Sequence, residues 1–162
     1  MNFKTKNYRN DIQSLRGISI ILVLFFHFYP NILPRGYLGV DIFFVISGYL
    51  ISKILTTSIQ FKKPFLIDFY IKRIKRIFPP LSIVIFVTFI ISIFFLLPNA
   101  RENLNQSIIS TYLLIPNIYF WLRGGYFGLI DELKPLLHLW SIGVELQFYL
   151  LFPIIYVFVD RL

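Results

Sequence analysis

Five long apolar stretches, separated by shorter polar segments, follow one another along the chain. They cover residues 11–30, 39–57, 80–97, 107–122 and 136–159. A helix needs about 20 mostly apolar residues to cross the hydrocarbon core of a bilayer. The fourth stretch is weaker because Pro116 and Asn117 interrupt it, which favours a tilted, broken or interfacial helix. The pattern predicts that residues 1–162 form an all-α, polytopic transmembrane helix bundle with about five spans.

The amino-acid composition excludes an ordinary soluble domain. Hydrophobic residues make up 57% of the 162 residues and charged residues only 15%, and a chain of this length cannot hide so much apolar surface from water. The aromatic share of 19% is typical of lipid-facing surfaces and interfacial belts. With no Cys and two His, the sequence offers no thiolate zinc site and no cysteine nucleophile, and we expect no bound metal.

The net charge of +8 follows the predicted topology, and we expect no nucleic-acid partner. Basic residues lie between the apolar spans and not along one polar face. Three of them precede the first span, which we interpret as an uncleaved anchor: Lys4, Lys6 and Arg9. Seven more stand between residues 53 and 76, against the single acid Asp68: Lys53, Lys62, Lys63, Lys72, Arg73, Lys75 and Arg76. Because cytoplasmic loops are enriched in Lys and Arg, we place both segments in the cytoplasm and predict that the first two spans form an out-and-back hairpin.

The first span carries two ionisable residues, Arg16 and His27, which are eleven positions apart. On a helix they fall on nearly the same face, roughly 16 Å apart along the axis. Because ionisable groups inside hydrocarbon normally face a protein interior or a polar cavity, we expect this helix to form one wall of a polar cleft. His27 is a candidate general base, with Asp41 at the matching end of the next span to orient its imidazole. The alternative is a structural histidine bonded to a neighbouring helix.

Arg73 and Arg76 lie three positions apart in a basic cluster, 72–76, that follows the aromatic pair Phe69 and Tyr70. The spacing predicts that both guanidinium groups lie on one helical face, and such groups suit phosphate oxygens. The cluster is equally well explained as a topology signal that attracts anionic lipid, and the spacing alone does not decide between the two.

The last span has the densest set of polar side chains: His138, Trp140, Ser141, Glu145, Gln147 and Tyr149. On a continuous helix, residues 138, 145 and 149 fall within about 20° of one line, with residue 141 beside it. A carboxylate, an imidazole and an indole on one apolar helix indicate a functional site. The alternative is that they are hydrogen-bonding contacts between helices.

Four blocks of the sequence resemble the membrane acyltransferase type 3 family. They are DIQSLR at 11–16 with the later His27, GVDIFFVISGYLI at 39–51, FYIKRIKR at 69–76, and PLLHLWSIGVELQFY at 135–149. Their order and spacing match the family pattern from about Tyr8 to the end of the chain. At position 143 the family commonly has a larger apolar residue where this chain has Gly143.

The resemblance implies transfer of an acyl group, often acetyl, from a cytoplasmic acyl-CoA such as acetyl-CoA to a hydroxyl of a cell-envelope saccharide or lipid-linked sugar. By resemblance, Arg16 and His27 match the family's catalytic pair, and Arg73 and Arg76 match its donor-binding R-x-x-R motif. Trp140, Ser141 and Glu145 match its tryptophan–serine–glutamate signature, and His138 and Tyr149 flank that signature as substrate-facing or structural residues. We therefore expect catalytic roles for His27, Asp41, Arg16 and Glu145, with Arg16 also near the coenzyme, in a protein of the bacterial plasma (inner) membrane.

The family domain has about ten membrane helices, and this chain supplies about five at roughly 20 residues per crossing. We therefore expect the chain to be the N-terminal half of the domain, either truncated or completed by a C-terminal half as partner. Two other hypotheses stay open at this point. One is a transporter- or flippase-like membrane subunit, and the other is an inactive truncated fragment.

Overall fold

The computed structural model describes residues 9–60, 66–124 and 134–160, and within them the fold is entirely α-helical. The helices are α1 (Asn10–Phe28), α2 (Leu38–Gln60), α3 (Leu66–Phe95), α4 (Pro98–Tyr112), α5 (Pro116–Leu122) and α6 (Leu139–Asp160). The predicted all-α bundle is confirmed. Four basic residues used in the topology argument lie outside the described residues: Lys4, Lys6, Lys62 and Lys63.

Four of the described helices, α1, α2, α3 and α6, are long and apolar enough to cross a membrane. They contain the predicted spans 11–30, 39–57, 80–97 and 136–159 almost completely. The one large difference is α3, which has 30 residues, roughly 45 Å, and begins at Leu66 instead of residue 80. Lys, Arg and Leu favour helix, so the basic cluster joins the apolar span without a break, even across Pro79 and Pro80.

The predicted weak span 107–122 consists of two short helices instead of one continuous helix. Helix α4 ends at Tyr112 and α5 begins at Pro116, where a proline suits the first helical position. Between them Leu114 adopts a left-handed backbone conformation with φ of 63°, which a non-glycine residue rarely takes. The interruption predicted at Pro116 and Asn117 is therefore a break in the helix, centred just before the proline.

Residues 1–57 and 58–162 form two compact units. In the first, which we call the hairpin unit, a short turn joins α1 to α2, and Gly36 and Gly39 lie directly against α1. A Cβ atom on Gly36 would collide with the Leu22 carbonyl, and one on Gly39 would collide with the Ser19 carbonyl. Only glycine lets the two backbones approach this closely, so these two positions hold the hairpin closed at its turn.

In the second unit, α3 packs against α4 and α6, while α5 packs against α4 and α6. Its core consists of buried side chains from α3, α4, the start of α6 and the segment just before it: Leu81, Ile85, Leu104, Leu136 and Leu139. Outside this core, large apolar side chains such as Phe94 and Phe95 are 77% and 82% exposed. Such a surface is typical of a helix that faces lipid.

Replacing Gly39 by alanine is expected to lower the free energy of unfolding by about 1–3 kcal/mol, because the added methyl group overpacks the contact with α1. Gly17 is the matched control, since a Cβ there meets nothing within 4 Å and alanine favours helix by about 0.5–1 kcal/mol. Thermal unfolding of both variants in detergent micelles measures the difference. Equal melting temperatures for the two variants would contradict the close approach.

Candidate active site

His27 lies in the last turn of α1, and a backbone hydrogen bond fixes its ring. Its Nδ1 is 2.8 Å from the carbonyl oxygen of Val23. Because a carbonyl oxygen only accepts hydrogen bonds, Nδ1–H is the donor, and the neutral ring keeps its lone pair on Nε2. The imidazole is exposed. The residue thus has the tautomer that a general base at this position requires.

Asp41 lies in the first turn of α2, at the same end of the hairpin as His27. Within the described residues no hydrogen bond or ion pair joins the two side chains, and the Val23 carbonyl takes the orienting position that the sequence suggested for the carboxylate. The role of Asp41 in the reaction stays a prediction.

Arg16 is half-buried and faces α2. Its guanidinium carbon lies 4.8 Å from the centre of the Phe43 ring, within the range of a cation–π interaction. Since α1 is helical throughout Asn10–Phe28, Arg16 and His27 keep the common face and the roughly 16 Å axial spacing that the sequence predicted. The hairpin unit therefore presents a cation near one end of this face and an imidazole near the other.

In the second unit, Arg73 of α3 is held by aromatic rings. Its guanidinium carbon lies 5.3 Å from the centre of the Phe69 ring and 4.9 Å from that of Tyr149 in α6. The Tyr149 hydroxyl is hydrogen-bonded to a carboxylate oxygen of Glu145, one helical turn away. We call this set of four residues the Arg73 cluster. It joins the predicted donor-binding arginine to two predicted residues of the last span.

The Arg73 cluster lies beside the middle of α6 and not at its end. Tyr149 is the midpoint of the apolar segment Leu139–Val159, and the hydroxyl of Tyr70 donates a hydrogen bond of 2.9 Å to the Leu150 carbonyl. A cation and a carboxylate at this level of an apolar helix need partners within the protein. Arg76, one turn along α3, is exposed, so the two arginines of the motif differ in their surroundings.

The remaining predicted residues lie at the start of α6. His138 is exposed and precedes the first helical residue, Leu139, so the helical spacing that aligned it with Glu145 does not extend to it. Its carbonyl accepts a hydrogen bond of 3.0 Å from Ser141, and Trp140 is half-buried. These residues lie just before α6 and in its first turn, one to two helical turns from Glu145.

Several contacts around the predicted residues do not follow from the sequence. The ring of Phe43 contacts the predicted residue Arg16, and the hydroxyl of Tyr70 bonds to the Leu150 carbonyl beside the Arg73 cluster; aromatic residues are too frequent in this chain to be selected by pattern. Gln147 bonds to Asn117 and to the break before α5. The pattern that could have indicated this contact is an amide four positions after a glycine in an apolar helix, because this spacing places both residues on one face, where another helix can pack closely. Within the residues that the structure describes, no group of three His, Cys, Asp or Glu side chains is placed to hold a metal.

A protein-family model described as "Acyltransferase domain" matches residues 9–162, nearly the whole chain. The chain belongs to this acyltransferase family. The resemblance carried by the four sequence blocks is thereby confirmed.

Relatives in the family include peptidoglycan O-acetyltransferase OatA of Listeria monocytogenes, which is 36% identical over 92% of this chain and 24% of its own length. O-acetyltransferase OatA of Staphylococcus aureus is 33% identical over 93% of this chain and 25% of its own length. An uncharacterised protein of Haemophilus influenzae is 44% identical over 71% of this chain and 47% of its own length. The chain thus spans about a quarter to a half of the length of these relatives. No solved structure gives a significant match.

The two arginines of this acyltransferase chain provide a matched test of the Arg73 cluster. Arg73→Gln removes the cation from two aromatic rings and is expected to lower the free energy of unfolding by about 1–2 kcal/mol. Arg76→Gln removes the same charge from an exposed site and should change it by no more than about 0.5 kcal/mol. Thermal unfolding in micelles compares them, and identical midpoints for the two variants would argue against the aromatic contacts.

Proposed function

We propose that the protein is a membrane O-acyltransferase that moves an acetyl group from acetyl-CoA to a hydroxyl of a cell-envelope glycan, with His27 as the general base. Family membership and the printed names of two relatives, both O-acetyltransferases, support the reaction class. The hydrogen bond from His27 to Val23 carries the assignment of the base, because it leaves Nε2 as the atom that takes a proton.

In the proposed reaction, Nε2 of His27 takes the proton of the acceptor hydroxyl while its oxygen attacks the thioester carbonyl. A tetrahedral intermediate forms and then collapses. The carbon–sulfur bond breaks, the acetyl group remains on the acceptor oxygen, and the imidazolium returns its proton to the departing coenzyme A thiolate.

We assign donor binding to Arg73 and Arg76 because guanidinium groups match phosphate oxygens in charge and geometry. The aromatic rings fix the guanidinium of Arg73 in one orientation, which reduces the entropy lost when it binds an anion. Exposed Arg76 supplies a second cation one helical turn away. Glu145 and Tyr149 position Arg73, while Arg16 and Asp41 contribute charge along the hairpin unit.

Replacing His27 by alanine is expected to lower the rate of acetyl transfer by roughly 10²–10⁴-fold, the usual contribution of a general base. The assay uses the purified chain in lipid vesicles with labelled acetyl-CoA and soluble peptidoglycan fragments, and it measures released coenzyme A and acetylated product. Ile32→Ala, at an exposed site near the same turn, is the control and should retain the wild-type rate.

A full rate in the His27→Ala variant would overturn the assignment of the base. Movement of a labelled glycan across the vesicle membrane without thioester consumption would instead support a transporter-like subunit. No transfer and no movement by the wild-type chain, together with transfer by a longer relative in the same vesicles, would identify an inactive fragment.

Arg76→Gln is expected to raise the KM for acetyl-CoA by roughly 10- to 100-fold, since a hydrogen bond to a charged group contributes about 1.5–3 kcal/mol. The rate at saturating donor should change less, because the lost contact is made to the substrate in both ground and transition states. Arg35→Gln, an equal charge change at an exposed residue of the turn, is the control. An unchanged KM in Arg76→Gln would contradict a donor-binding role.

A further inference from the structure

Helix α6 has two polar faces that point in nearly opposite directions. Glu145 and Tyr149 lie on the face that meets Arg73. Gln147 is about 160–200° away around the helix, on the face that also carries Gly143 and that packs on the α4–α5 break. A side chain that fixes the second face therefore fixes the direction of the first.

Gln147 makes three hydrogen bonds across the second face. Its Nε2 donates to the Leu114 carbonyl at 2.8 Å and to Oδ1 of Asn117 at 2.9 Å. Its Oε1 accepts from Nδ2 of Asn117 at 3.1 Å. We call Gln147, Asn117 and the Leu114 carbonyl the amide clamp. Because the two side-chain amides bind each other reciprocally, the clamp defines both the rotation and the height of α6.

The amide clamp also satisfies a backbone group that the helix break would otherwise leave without an intrahelical donor. Leu114 has a left-handed backbone conformation, so its carbonyl does not continue the α4 ladder. In an apolar environment an unsatisfied carbonyl is costly. The donor from Gln147 therefore ties the position of the break to the position of α6.

Gly143 brings the same face of α6 close to the start of α5. A Cβ at this position would lie 2.7 Å from Cγ and 2.8 Å from Cδ of Pro116, and 3.1 Å from Oδ1 of Asn117. The missing side chain therefore leaves room for the proline ring and keeps the Asn117 amide within reach of Gln147, one turn farther along the helix. Gly143 and Gln147 therefore form one face of α6, which packs against the start of α5.

We propose that Gln147 is a positioning residue, which through the amide clamp holds α6 at the rotation that directs Glu145 and Tyr149 toward Arg73. A slip of α6 by one residue would turn the face by about 100° and would take the Tyr149 ring away from the guanidinium. The effect on catalysis rests on the proposed function, whereas the effect on helix geometry does not.

The geometric test measures the distance between nitroxide labels on α3 and α6. The chain contains no cysteine, so Ile83→Cys and Ile155→Cys, both at exposed sites, provide the only labelled positions. Double electron–electron resonance spectroscopy in lipid vesicles should give one narrow distance distribution for the doubly labelled chain without further substitutions. The same labelled chain with Gln147→Met should give a shifted or broadened distribution. The exchange Asn117→Gln with Gln147→Asn preserves an amide pair and should narrow the distribution again. Asn99→Ala, exposed on α4, is the control.

An unchanged distribution in Gln147→Met would overturn the proposal, and so would a failure of the exchanged pair to narrow it. Because no turnover is measured, this test decides the role of the amide clamp even if the chain transfers no acetyl group. Absence of coenzyme A release by the wild-type chain would count against the proposed function alone.

The kinetic test is a double-mutant cycle between Gln147 and Tyr149. Gln147→Met and Tyr149→Leu, which removes the ring that contacts Arg73, should each lower the rate of acetyl transfer about tenfold or more, and the double variant should lose little beyond the worse single variant. A non-additive loss is expected if Gln147 acts by directing Tyr149, and partial rescue by the exchanged amide pair should accompany it. A double variant whose loss equals the product of the two single losses would show that the residues act independently, and would overturn the proposal.

Discussion

Polar groups on apolar helices must find their partners within the protein, and this constraint organises the second unit. Arg73 is stacked on two aromatic rings, Tyr149 bonds to Glu145, and Gln147 bonds to the backbone of the α4–α5 break. Each of these groups would be costly if it faced hydrocarbon alone. Because the contact of Arg73 with Tyr149 joins α3 to α6 and the bond of Gln147 to the Leu114 carbonyl joins α6 to the break before α5, satisfying these groups also fixes how α3, α5 and α6 pack. The same interactions that make the unit stable therefore determine which side chains meet.

The hairpin unit meets a steric constraint instead. Gly36 and Gly39 allow the start of α2 to lie on the backbone of α1, and their positions leave no room for a methyl group. Close backbone approach replaces the hydrophobic driving force that helices lack in lipid. The contacts of the two glycines lie on α1 between Ser19 and Phe26, in the two turns of the helix that precede His27.

The sequence predicted most of the helices and fewer of the contacts. Apolar length alone located α1, α2 and α6, and Pro116 with Asn117 indicated the broken region. Apolar length places the third span at residues 80–97 and does not detect that the helical basic cluster is continuous with it, so that α3 begins at Leu66, although Lys and Arg favour helix. Spacing placed Glu145 and Tyr149 on one face, but it could not identify Arg73 as their neighbour, since contacts between helices depend on rotation and height. The pairing of Asn117 with Gln147 spans 30 residues, and no local pattern encodes it.

The orientation of His27 separates two tasks that a carboxylate partner usually combines. A carboxylate hydrogen-bonded to an imidazole both fixes its tautomer and stabilises the charge that it acquires. Here the neutral carbonyl of Val23 performs the first task and contributes little to the second. The proposed role of Asp41, in the first turn of α2, concerns the second task and stays a prediction. The backbone of α1 therefore orients the ring of the candidate base without a carboxylate partner.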